Sequence, residues 1–180
     1  MNKSDFTIRK TCIEDVPVLA LIEQSAAQIF RQIPSLSWIA DHTVLPVDIH
    51  LSAITAGTSW VAVDNNGQPV AFLCARIYAH EFHILEMSVC KKEQKRGIGT
   101  ALLYTACSWA KAYQLSAVTL TTFRELPWNA PFYTRLGFKI LPESLINPRL
   151  AAVLQDEVES GFPPQTRCAM QLNLSHFNAA

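Results

Sequence analysis

The residues best suited to chemistry form Gln94-Lys95-Arg96-Gly97-Ile98-Gly99-Thr100-Ala101-Leu102-Leu103, a basic turn with two glycines that runs into an apolar helical repeat. Such a turn leaves backbone N–H groups unpaired at a helix N-terminus, where the macrodipole and nearby cations favour a phosphate or pyrophosphate. Gly97 and Gly99 let the backbone approach a ligand closely because no Cβ intervenes. Two common phosphate motifs are excluded. A dinucleotide fingerprint needs glycine or alanine where Leu102 stands, and a P-loop needs Gly-Lys-Ser/Thr. Taken alone, the stretch fits equally well a two-glycine turn with solvated lysines.

Other reactive side chains are less organised. In His80-Glu81-x-His83 an extended backbone points the two imidazoles to opposite faces, and no third and fourth ligands are spaced nearby, so no metal site is expected. Cys12, Cys74, Cys90, Cys107 and Cys168 include no Cys-x-x-Cys pair, and an odd total leaves one unpaired in any disulfide scheme. Cys74, Cys90 and Cys107 lie in apolar segments and read as buried thiols, not nucleophiles.

The elements that must position the loop follow from periodicity. Phe6 to Arg9 reads as an opening strand, and Glu14 and Asp15 lead a helix to about Arg31 through Val16, Leu19, Ile22, Ala26 and Ile29. Pro34 to Pro46 reads as irregular, and Val47 to Ala56 as a second helix ended by Gly57. Trp60 to Val63 and Pro69 to Tyr78 form a hairpin about Asp64-Asn65-Asn66-Gly67, and Phe82 to Val89 is a third strand running into the loop. A helix to about Tyr113 and a strand from Ala117 to Phe123 complete a crossover. A short helix from Pro127 to Leu136, a strand from Phe138 to Leu141, a helix from Leu150 to Val158 and a last strand from Arg167 to Leu172 close the chain. The expected class is α+β: one mixed, mostly antiparallel, splayed central sheet flanked by helices. With 180 residues, a single domain over 1–180 is expected.

Fifteen Lys plus Arg balance fifteen Asp plus Glu, so no global field would hold a polyanion, and nucleic-acid binding is not expected. Hydrophobic residues at 49% against 17% charged exclude disorder as the default. No apolar run approaches the roughly 20 residues that span a bilayer. The polar opening MNKSDFTIRK carries no secretion signature, so no membrane partner and a cytoplasmic location are expected.

Gln94, Gly97 and Gly99, after a strand ending in Val89, resemble the Gln/Arg-x-x-Gly-x-Gly/Ala signature of the GCN5-related N-acetyltransferase superfamily. Phe132-Tyr133 followed four residues later by Gly137-Phe138 resembles that family's second signature. The resemblance covers roughly Thr58 to Leu141. It implies an acyl-coenzyme A N-acyltransferase fold and bound acetyl-coenzyme A. The pyrophosphate would rest on main-chain amides of Lys95, Arg96, Gly97, Ile98, Gly99 and Thr100, with Gln94 in the same signature. Pantetheine would pair with the strand at Met87 and Val89, and Lys95 or Arg96 would meet the adenosine phosphate.

The resemblance also implies roles at the acyl carbon. An alkyl amine is almost wholly protonated at neutral pH, so a carboxylate or water chain must take a proton before attack. Glu86 is the candidate base, its alternative being a solvent-facing or structural strand glutamate; Glu81 and His83 are weaker candidates. Tyr133 resembles the family tyrosine that protonates or hydrogen-bonds the coenzyme sulfur, and a phenol with a pKa of about 10 matches a thiolate leaving group. The family's pantetheine-contacting Asn falls at Leu126 here, so Asn129 is either the cofactor contact or a helix cap. Trp38, Asp41, His42 and Asp48 fall where the family lines its acceptor cleft. The implied activity is direct acetyl transfer to a primary amine of a small molecule. A peptide or protein acceptor, a non-catalytic acyl-coenzyme A sensor and an unrelated phosphate-binding domain are the alternatives. The acidic stretch Asn147 to Pro164 reads as an exposed helix, or else as a lid or a homodimer contact.

Overall fold

The computed structural model describes residues 5–42 and 44–178. In chain order these form β1 (Phe6–Lys10), α1 (Val16–Ala27), α2 (Val47–Thr55), β2 (Ser59–Asp64), β3 (Pro69–Tyr78) and β4 (Glu81–Val89). There follow α3 (Ile98–Ala112), β5 (Ala117–Phe123), α4 (Ala130–Arg135), β6 (Lys139–Ile140), α5 (Pro148–Glu159) and β7 (Arg167–Asn173). The strands make one mixed sheet in the order β1-β2-β3-β4-β5-β7-β6, open at its edges and flanked by helices. The β1–β2, β2–β3, β5–β7 and β6–β7 pairs are antiparallel, and β4–β5 is parallel, as a helical crossover requires. Packing divides the chain into two compact units, one reaching Arg76 and resuming over Ile84–Ser108, the other comprising Ile77–His83 and the chain from Trp109.

In the first unit, β2 and β3 carry continuous buried runs, Val61-Ala62-Val63 and Phe72-Leu73-Cys74, as strands covered on both faces do. Their turn is fixed by the Asp64 carboxylate, whose Oδ1 accepts the N–H groups of Asn66 and Gln68 at 2.9 Å each. Leu19, Ile22, Ala53, Val61, Val63, Phe72 and Cys74 form one core cluster, with α1 and α2 supplying the helical side. Asp15 ends a 3-10 turn ahead of α1 and forms a two-point pair with Arg9, at 2.6 and 2.8 Å. The stretch expected to be irregular, from Pro34 onward, is a 3-10 helix over Pro34–Asp41. Its side chains eclipse every three residues, so it leaves no amphipathic period to read.

In the second unit, β5 pairs with β7 along its whole length, from Ala117 opposite Asn173 to Phe123 opposite Arg167. The β4–β5 ladder covers Glu81–His83 against Ala117–Thr119. Gly137 ends α4 at φ +94°, and a Cβ there would meet Leu172 Cδ1 at 3.3 Å, so both backbone and space call for glycine. Pro148 opens α5, and Asn147 caps it by accepting the Leu150 N–H at 2.9 Å. The acidic face expected on this helix is real at Asp156 and Glu159, which are exposed, but Glu157 turns inward. There it accepts the Thr121 hydroxyl at 2.6 Å and two Arg167 nitrogens at 2.8 Å each.

Candidate active site

β4 delivers the chain into the glycine turn with its end tied down, because the Gln94 side-chain amide donates to the Val89 carbonyl at 3.2 Å. Lys95 and Gly97 both lie in the left-handed region, at φ +63° and +81°, a backbone bend of the kind whose successive N–H groups can cup an anion. The first α3 bond runs from the Ala101 N–H to the Gly97 carbonyl at 3.0 Å. The amides of Ile98, Gly99 and Thr100 therefore precede any intrahelical donor and are available to a ligand. Ile98 is buried and anchors the helix start, so its contribution is its main chain. A Cβ on Gly97 would meet nothing within 4 Å, which leaves open space over the turn. Arg96 spans Glu93 and Asp5, the latter at 2.9 Å.

Upstream on β4, Glu86 is half-buried and its Oε1 accepts the Ser88 hydroxyl at 2.7 Å. A second carboxyl belongs to the same surroundings and was not anticipated from the sequence. Glu23 falls on the stripe Val16, Leu19, Glu23 of α1, the first two of which are buried. The Leu45 N–H meets both of its oxygens, at 3.2 and 3.0 Å. Burial, and then the charge of Glu86, push the Glu23 carboxyl up to about 8 against the pull of that N–H. Cys74 on β3 responds to both carboxylates, and burial chiefly raises its thiol to about 12. A lone glutamate interrupting an apolar helical stripe was the signal available in the sequence.

In the second unit Tyr133 lies on α4, buried, edge-on to Phe132 and Phe138 with ring centroids at 5.1 and 5.6 Å. Asn129 occupies the position before α4, yet its side chain does not cap the helix; its Nδ2 donates to Thr122 Oγ1 at 2.8 Å. Its Oδ1 is buried without a hydrogen-bond partner among the described residues, which leaves an acceptor for a ligand N–H. Glu81 and His83 are engaged elsewhere. Glu81 pairs with Arg149, while His83 Nδ1 meets Thr119 Oγ1 at 2.9 Å, and burial with the Arg149 charge lowers this imidazole to about 4. His80 is exposed in the preceding turn, and among the described residues no three His, Cys, Asp or Glu gather as metal ligands. Asp41 pairs with Arg31 at 2.7 Å, and Trp38 meets His42 edge-on at 5.1 Å.

The open turn, lined by main-chain amides at the start of α3, is suited to an anionic group such as a pyrophosphate. Comparison with known proteins points the same way. A family model described as "Acetyltransferase (GNAT) family" matches residues 27–138. The fold is shared with the PaiA N-acetyltransferase of Thermoplasma acidophilum in complex with coenzyme A, at TM-score 0.68 and 19% identity over 93% of this chain and 98% of that one. It is shared equally with the ribosomal-protein-S18-alanine N-acetyltransferase of Escherichia coli, at TM-score 0.67 and 17% identity over 96% of each chain. N-acetylglutamate synthase of Neisseria gonorrhoeae, complexed with coenzyme A and N-acetyl-glutamate, matches at TM-score 0.67 and 13% identity over 96% of this chain and 36% of that one. With the family match spanning well over half its length, the chain belongs to the GNAT family of acetyltransferases, enzymes whose acetyl donor is acetyl-coenzyme A.

Proposed function

We propose that the protein transfers an acetyl group directly from acetyl-coenzyme A to a primary amine of a small molecule, with Glu86 as base and Tyr133 as acid. The observation that carries this reading is the run of β4 into the glycine turn, with a half-buried carboxylate three residues before the strand ends and a row of free amides just beyond it. The amides of Lys95 to Thr100 would hold the pyrophosphate, and the β4 main chain at Met87 and Val89 would pair with pantetheine as an added strand. Asn129 Oδ1 would accept from a pantetheine amide, which would satisfy a buried orphan. Acetyl-coenzyme A supplies the activated carbonyl and the thiol leaving group. Glu86 Oε takes a proton from the acceptor's ammonium, leaving a neutral amine able to attack. The Tyr133 hydroxyl holds the proton that the departing sulfur needs.

Zero net charge supports a small acceptor over a highly charged macromolecule. The test is thiol release with a panel of small primary amines, amino acids and N-terminal peptides, run on the wild type, Glu86→Gln and Tyr133→Phe. Turnover of a small amine, reduced about 100-fold or more by each substitution, is the expected result. Full turnover in both variants would overturn the assigned roles, and a peptide preferred over every small amine would overturn the acceptor class.

A further inference from the structure

His50 of α2 is buried in the first unit at 2% exposure, and neither of its ring nitrogens has a hydrogen-bond partner among the described residues. A neutral imidazole carries one N–H donor and one acceptor, so two polar atoms lie out of water without the bonds that water would give them. The ring meets Phe72 of β3 edge-on, with centroids 5.3 Å apart, a weak substitute for a hydrogen bond. The helix depends on this side chain. Of the nine residues of α2 only His50 and Ala53 are buried, and Ala53 brings a single methyl group to the core. Val47, Asp48, Leu51, Ser52 and Thr55 are exposed, and no side chain caps the helix at Pro46. A helix of this length is marginal in water on its own. It is moored on either side. Ahead of it the Leu45 N–H is held by the Glu23 carboxyl, at 3.2 and 3.0 Å. Behind it the Thr58 hydroxyl donates to the Ala75 carbonyl at 2.6 Å, and the Thr58 carbonyl accepts the Ala75 N–H at 3.0 Å. Between these moorings His50 is the largest buried side chain that seats α2.

We propose that α2 is an acid-released element: a neutral His50 seats the helix on the core, and a protonated His50 leaves for water and lifts α2 locally between its moorings at Leu45 and Thr58. The proposal goes beyond the acetyl-transfer reading and draws on neither its base nor its acid. An imidazolium has two donors and a charge, and the seat offers its nitrogens no acceptor among the described residues. Burial accordingly disfavours the charged form and lowers this imidazole below its ordinary 6.5. The titratable and charged groups around α2 lie on several elements. From α1 comes Glu23, whose carboxyl burial raises to about 8, so that it stays protonated across the acid range. β1 brings Lys10, on the Gly57 carbonyl, and β2 brings Asp64, in its exposed hairpin turn. β3 brings Cys74, an uncharged thiol, and Arg76, while β4 brings Glu86, whose charge acts on Glu23 and Cys74. Asp48 of α2 itself and His42 ahead of it are exposed. The sign follows from the direction of the shift. A base whose proton affinity is lowered in the seated helix stabilises that state fully above the midpoint of the released state, and less with each step below it. With a released imidazole at about 6.5, opening rises close to tenfold per pH unit below that value, and about 30-fold from pH 7.5 to pH 5.0.

The test is hydrogen–deuterium exchange of the whole chain, read by mass spectrometry at pH 7.5 and 5.0 and corrected for the intrinsic exchange rate at each pH. The chains compared are the wild type, His50→Leu, which fills the seat with an apolar side chain, and His42→Gln, which removes the exposed imidazole nearby. In the wild type the protection of α2 amides should fall about 30-fold at the lower pH while β3 keeps its protection. His42→Gln should repeat that response, and in His50→Leu α2 should be equally protected at both pH values. Wild-type α2 protection that does not change with pH overturns the proposal, as does a response kept in His50→Leu or abolished in His42→Gln. A fall in β3 that matches the fall in α2 also overturns it, because that is acid unfolding of the unit and not release of one helix. If His50→Leu fails to fold, the wild-type contrast between α2 and β3 still decides.

Discussion

Replacing Glu23 by Gln should change how stability depends on pH, and the sign can be worked out. The carboxyl shifts from 4.5 to about 8 on folding, so between those values the folded chain holds a proton that the unfolded chain has released. Stability must then fall as pH rises through that window: the contribution of Glu23 is whole below 4.5 and is lost on the way to 8. At about 1.4 kcal/mol per pH unit the full interval is a ceiling of about 5 kcal/mol. Part of it belongs to Glu86 and is redistributed when the pair titrates as a unit, so about 2–3 kcal/mol is expected for Glu23→Gln. The amide mimics the protonated acid and cannot ionise. Urea unfolding of wild type and variant at half-unit steps from pH 4 to 9 should give nearly equal stabilities near pH 4 and a variant more stable by that amount near pH 9. A difference constant with pH would mean that Glu23 ionises in the folded chain as it does in water, and one widening toward acid that folding favours its charged form; either refutes the reasoning.

Asp15 makes the opposite case: its pairing with Arg9 lowers it to about 2, so its contribution is present above 3.8 and lost as pH falls, and Asp15→Asn should cost about 1–2 kcal/mol at pH 7 and nothing near pH 2 by urea unfolding. Gly97→Ala should cost about 1 kcal/mol from its φ of +81° alone, since its Cβ would meet nothing, yet weaken coenzyme A several-fold in calorimetric titration by filling the space over the turn. Iodoacetamide at pH 7.5, followed by mass spectrometry, should label half-buried Cys12 and Cys90 well before Cys74 and Cys107, whose thiols burial pushes up to about 12.

Those parts of the fold governed by local chemistry were legible in the sequence. Asp64 to Gly67 announced a hairpin because a carboxylate, two asparagines and a glycine have few other uses together, and the structure uses the Asp64 oxygen to close it. The strand, glycine turn and helix around Gln94 to Thr100 were readable for the same reason, each residue type being tied to a backbone need. Glu23 was missed because a polar residue within an apolar helical stripe counts against amphipathicity until its partner on another element is known. The tie between Glu81 and Arg149 was out of reach, since the two stand 68 residues apart and nothing local foretells the meeting. Asn129 illustrates the limit from the other side: the helix expected from Pro127 starts only after it, and its side chain does not cap that helix, because the direction of its amide depends on Thr122, seven residues back on a strand.

The segment Asn147 to Pro164 left open a choice between exposed helix and lid, and its anchors decide how far α5 can move over its own unit. Near its start Arg149 is bound to Glu81 and also donates to Thr119 Oγ1 at 3.2 Å, while its guanidinium lies over the Tyr78 ring at 4.5 Å. Near its end Glu157 receives Arg167, whose guanidinium is flanked by Phe123 and Phe162 at 4.6 and 4.9 Å. Side chains in these pairs are at most 22% exposed, so lifting the helix would strand charges that water reaches poorly. Parting one buried pair costs about 3–5 kcal/mol, which holds a lifted state below roughly 1% of molecules even if only one anchor must open. A helix held so at both ends acts as a strut on β5 and β7. Its exposed acids, Asp156 and Glu159, decorate the outer side of that strut and are not the edge of a moving flap.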